Sequence, residues 1–188
     1  MLRRVFAFAL LAAPAASLAQ PAKTAEPARS GWDLARTADS CMLHAASPQG
    51  TVVSIWGFAG QEKLGFLIQN REWDMLREGQ SYDIELGFTG ARAWPIAATA
   101  KNGLDSDGPG YFFTFSPAGE EGSSFLESLA SAKGLKVSRD GDAVASLPLA
   151  GSRDAVSALA RCMAAMWETP AQEILEKADA EPEIEPTA

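Results

Sequence analysis

From residue 31 to residue 168 apolar and polar positions alternate in short runs, each closed by Gly, Pro, Asn, Asp or Ser. A period of two marks half-buried strands, because successive strand side chains point to opposite faces. The clearest run sets Tyr82, Ile84, Leu86 and Phe88 against Asp83, Glu85 and Gly87, which predicts a strand with one wet face. Similar runs at 32–36, 41–45, 51–58, 64–70, 92–98, 111–115, 135–139 and 143–149 predict further strands. Most are joined by only a few residues, which favours an antiparallel meander. Asp140-Gly141 supplies a hairpin signal, since both central residues of such a turn need positive φ. Pro95 has no N–H to give a ladder, so its strand should lie at an edge or bulge there.

Two stretches switch to helical spacing. Over 123–133, Phe125, Leu126, Leu129 and Ala130 share one side, and Gly134 is placed to stop the helix. Ser152 is placed to cap a second helix, with Asp154 in its first turn and Val156, Leu159, Met163 and Met166 as its apolar stripe. Thr169-Pro170 should end it. The expected fold is mainly β with some α: a curved antiparallel meander sheet, or partly open barrel, with the C-terminal helix packed on it.

The flanks read differently. Residues 1–19 carry Arg3 and Arg4, an apolar run of roughly ten residues, Pro14 and the small pair Ser17 and Ala19, which is a signal peptide cut after Ala19. The run is about half of the ~20 residues that span a bilayer. Residues 20–30 form a Pro/Ala/Lys/Glu linker and residues 169–188 an acidic tail, both expected to be disordered, the tail with at most a fragile helical turn or two over 173–180. Residues 31–168 are then a single β-rich domain, periplasmic or secreted, with no membrane anchor after processing.

Composition sharpens that picture. The precursor carries −8, and loss of Arg3 and Arg4 with the leader takes the chain to −10. Glu168 to Glu185 hold most of that charge, and no basic stripe offsets it, so nucleic acid is not an expected partner. Two cysteines, Cys41 and Cys162, form an even count suited to an oxidising compartment. One disulfide between them is the economical reading, with two separate buried thiols as the alternative.

At this point the chain resembles a family of small, exported, uncharacterised proteins of Gram-negative bacteria. The resemblance rests on Trp32, Cys41-Met42, Gly50-Thr51, Asn70-Arg71-Glu72-Trp73, Glu78-Gly79-Gln80-Ser81-Tyr82 and Trp94. It closes on Leu147-Pro148-Leu149-Ala150-Gly151-Ser152 with Leu159 and Cys162. It implies a β-rich domain with a terminal helix and paired cysteines, and brings no activity, cofactor or catalytic residue.

Catalytic chemistry finds little support. His44 is the only histidine, so two-histidine metal sites are excluded, and its strand position reads as a packed or surface residue. Ser152 follows Gly151 but lacks the second glycine of a nucleophile elbow. Asp105-Ser106-Asp107-Gly108 matches part of a calcium loop, yet the register puts Gly103 and Thr114 where ligands are required, and a polar turn is the better reading. Neither catalytic residue, cofactor nor metal is assigned. The aromatic set Trp56, Trp73, Trp94, Tyr111, Phe112 and Phe113 reads mainly as core. Within Tyr111-Phe112-Phe113, however, neighbours must face opposite ways, so Phe112 either meets a second layer or forms a partner surface. The expected function is an exported, non-enzymatic binding or accessory protein of the cell envelope, its partner a protein or a cell-wall component and its oligomeric state open. The competing reading is a periplasmic hydrolase using a carboxylate pair drawn from Glu85, Asp105, Asp107, Glu120 and Glu121.

Overall fold

A computed structural model describes residues 31–102 and 107–168. The expected signal peptide, 20–30 linker and acidic tail, and Asp105, all lie outside these residues. Nine strands form one antiparallel sheet: β1 (Trp32–Arg36), β2 (Ser40–Ala46), β3 (Thr51–Phe58), β4 (Leu64–Asn70), β5 (Ser81–Phe88), β6 (Ala93–Lys101), β7 (Gly110–Phe115), β8 (Gly134–Arg139) and β9 (Asp142–Pro148). Two helices, α1 (Glu120–Ser131) and α2 (Ser152–Glu168), complete the described fold. The sheet is open, as the curved-sheet reading expects.

Strand order is β1-β2-β3-β4-β7-β6-β5-β8-β9, so the meander runs straight through four strands and then reverses. The connection from β4 to β5 skips two places, and β5, β6 and β7 fold back until β7 pairs with β4. Alternation locates strands but says nothing about which edges meet, which is why this reversal is invisible in the pattern. The hairpin at Asp140-Gly141 forms as expected, with φ of 55° and 88°.

One face of the curved sheet, called inner here, holds the core: Cys41, Leu43, Val53, Ile55, Phe66, Ile68, Leu86, Trp94, Tyr111, Phe113, Leu135 and Val137 are all buried. Both helices lie on it. Phe125 of α1 meets Phe66, Phe88, Trp94, Phe113 and Phe115, with ring centroids 5.0–5.9 Å apart. Burying a side chain of this size stabilises by about 1.5–3 kcal/mol from area alone. The Met163 side chain of α2 lies against Gly57, where an added Cβ would also come within 2.7 Å of Leu64.

The Cys41–Cys162 disulfide forms across a sequence separation of 121 residues and fastens α2 to β2. Met166 Sδ lies 3.8 Å from Cys41 Sγ, one turn further along the helix. Closing a loop of that length stabilises by roughly 4–5 kcal/mol in the chain-entropy account, an upper figure.

Two helix-end expectations are corrected. Helix α1 begins at Glu120, earlier than the apolar spacing suggests, and ends at Ser131, so Gly134 starts β8 instead of stopping the helix. Ser152 does not spend its hydroxyl on a cap: its Oγ donates to the Ala130 carbonyl of α1 at 3.4 Å, tying the two helices together.

Candidate functional site

The face of the sheet away from the helices carries a group of apolar side chains. Even-numbered residues of β2, β3 and β7 and odd-numbered residues of β4 point there, because each register pair shares a face. Cross-strand pairs place Met42 opposite Trp56, Trp56 opposite Gly65, and Leu67 opposite Phe112. Trp56 and Phe112 stack with centroids 5.7 Å apart and planes 15° from parallel. Both rings are half-buried. Leu67, between them by register, is only 2% exposed.

Gly65 explains the seat of the indole. A Cβ there would stand 2.5 Å from Trp56 Cε2, so the absent side chain makes room for the ring over β4. Met42 and Phe58 extend the apolar surface, at 37% and 40% exposure. His44 borders it, its Nδ1 within 3.1 Å of Ser54 Oγ. Large apolar side chains gathered on a face that neither described helix covers are uncommon away from contact surfaces.

Phe112 therefore does face away from Tyr111 and Phe113, and α2 does not cover it. The rest of the aromatic set divides: Trp73, Trp94, Tyr111 and Phe113 are core, whereas Trp56 joins Phe112 outside. Sequence reasoning missed Trp56, Met42 and Phe58 as companions of Phe112. The available signal was in 51–58, where both parities are apolar, so one face had to carry apolar side chains without helical cover.

The acids do not form one set. Glu85 is exposed on the outer face of β5, Asp107 lies 3.9 Å from Arg71, and Glu120 and Glu121 occupy the first turn of α1, where a helix N-terminus favours negative charge. Among the described residues, no group of three His, Cys, Asp or Glu could hold a metal ion. Ser152 is buried and engaged between the helices.

One polar cluster lies inside. Arg139 Nη1 donates to the buried Tyr111 hydroxyl at 3.0 Å, and its guanidinium stands 5.7 Å from the Tyr82 ring. Burial pushes the Tyr111 hydroxyl above its ordinary pKa of 10.0, an effect that Arg139 partly offsets. Beside it, Asn70 donates to Thr51 Oγ1 and accepts from the Glu72 N–H, which turns the chain so that Trp73 packs on Tyr111 with ring centroids 4.9 Å apart. The sequence group Asn70 to Trp73 thus serves the fold.

Among the described residues no helix is long and apolar enough to cross a membrane. Comparison of the chain with family models, curated proteins and solved structures found no match.

Proposed function

We propose that this chain is an exported binding or accessory protein of the cell envelope, without catalytic activity, whose outer aromatic face receives a protein partner. The stacked pair Trp56–Phe112, seated on Gly65 and flanked by Met42 and Phe58, carries the reading. Aromatic residues and methionine are enriched in the centre of protein interfaces, where they contribute large contact areas at low entropic cost. A cell-wall component is the second candidate for the same face. Export is supported by the leader pattern of residues 1–19 and by the disulfide, which suits an oxidising periplasm. Against a carboxylate-pair hydrolase stand the separate placements of Glu85, Asp107 and the Glu120–Glu121 pair.

The test is capture from envelope extract with the wild type and with Phe112→Asp, circular dichroism confirming that the variant folds. A half-buried strand position on a face that neither described helix covers should accept the change with modest loss of stability. Partners held by the wild type and lost by the folded variant support the reading. An unchanged set of partners removes this face from consideration.

A further inference from the structure

The sheet opens between β6 and β7. Their ladder consists of Thr99↔Phe112, Ala100↔Tyr111 and Lys101↔Gly110, and it stops there although β6 runs back to Ala93 and β7 on to Phe115. On its other side β6 stays paired with β5 as far as Ala93, and β7 stays paired with β4 as far as Phe115. The two strands therefore splay apart while each remains part of the sheet.

Register shows which main-chain groups face the opening. Ala100 exchanges hydrogen bonds on the β5 side, its N–H with Gln80 and its C=O with Gly79. Alternation then aims the main chain of Ala93, Pro95 and Ala97 at the opening. On the far side the Asn70 N–H binds the Pro109 C=O toward β4, so Thr114 aims its main chain at β6. Continued pairing would have joined Ala97 to Thr114 and Pro95 to Ser116. Pro95 has no N–H for that bond, so pairing could not have run past Ala97, and Pro95 lies at an edge, as the sequence suggests.

Between the edges is a cleft of about 410 Å³, with Pro95, Ala97, Phe113 and Thr114 on its walls and Phe125 and Gly122 of α1 below. Ala93, Pro95, Ala97 and Thr114 are exposed, and three of these four side chains are too small to screen the backbone. The Nε1 of buried Trp94, in the same wall, has no hydrogen-bond partner. Glu120, Glu121 and Glu127 line the adjoining cleft of about 700 Å³ with a single cation, Arg92, which lies over the Trp94 ring, and the three acids form no ion pair among the described residues.

We infer that this opening is a strand-accepting site for an extended peptide bearing lysine or arginine. An unpaired strand edge recognises backbone, and small apolar side chains of the guest would alternate inward over Phe125. The Glu120, Glu121 and Glu127 carboxylates select a basic guest. Phe112 forms the last rung beside the opening, but neither its ring nor Trp56 lines the cleft.

The test is selection of a displayed library of random decapeptides on the mature disulfide-bonded protein, followed by fluorescence anisotropy of the selected peptides. Enriched sequences should alternate apolar residues with Lys or Arg. Ala97→Pro removes the donor that faces the opening and, with circular dichroism confirming that the variant folds, should weaken binding about tenfold, the loss of roughly one well-made hydrogen bond. The Glu120→Lys/Glu121→Lys double variant should weaken it further at low salt, and peptides N-methylated at alternate residues should fail on the unaltered protein. Binding should slow amide exchange at Ala97 and Thr114. Failure to enrich any sequence overturns the proposal. So does binding that survives both Ala97→Pro and N-methylation.

Discussion

Tyr111 shows how single residues carry the inner face of this sheet. Its ring packs on Trp73 and Tyr82, and its hydroxyl, 1% exposed with its ring, depends on Arg139 for a partner. Because burial raises its pKa in the folded chain, the folded form holds the phenolic proton more tightly than the unfolded form. That stability is fully present below the unfolded value near 10.0 and is lost as pH rises through the folded value. Urea titrations from pH 8 upward should show wild-type stability falling above pH ~10. Tyr111→Phe should start about 1 kcal/mol lower for the lost hydrogen bond and fall less steeply. Parallel curves for the two proteins would contradict the assignment. At this scale the sequence was informative where geometry is local: alternation orients Phe112, and Asp140-Gly141 declares its turn. It was silent where a residue answers a distant group. The role of Gly65 depends on Trp56 leaning across β4, and that of Ser152 on Ala130 at the end of α1.

The elements were legible wherever their signal is their own. Strand positions follow from alternation to within a few residues, Thr51–Phe58 and Leu64–Asn70 included. Helix α1 was harder because its first turn contains Gly122, which reads as a breaker. In the fold, Gly122 is the only residue type that fits, since an added Cβ would run into the Ser116 carbonyl. Helix α2 has an apolar stripe, but its fixed position relies on the bond from Cys162 to Cys41. Reduction, or the double variant Cys41→Ala/Cys162→Ala, should lower unfolding stability by about 2–5 kcal/mol. Urea titration checks the magnitude. Intact mass with and without alkylation checks that the thiols of exported material are bonded. Two freely alkylated thiols in such material, or a change under 1 kcal/mol on reduction, would overturn the claim that this bond pins the helix.

For the molecule as a whole, the inner and outer faces are built differently. Helices α1 and α2 and most of the large aromatic residues fill the inner face, and the disulfide holds that packing closed. The outer face keeps Trp56 and Phe112 stacked without helical cover. Sequence alone expected a β-rich chain with a packed C-terminal helix, and the sheet bears this out. Strand neighbours, the reversal at β5 to β7 and the gathering of Met42, Trp56 and Phe112 required the three-dimensional register, because residues far apart in sequence meet only through strand pairing. The central claim is that this outer face meets a protein, and site-specific photo-cross-linking in living cells tests it most directly. A photoreactive phenylalanine analogue at position 112 should give a discrete higher-mass adduct in the envelope fraction. The same analogue at exposed Ser146, on β9 at the far edge of the sheet, should give none. Adducts of equal yield at both positions, or none at position 112, would contradict the account.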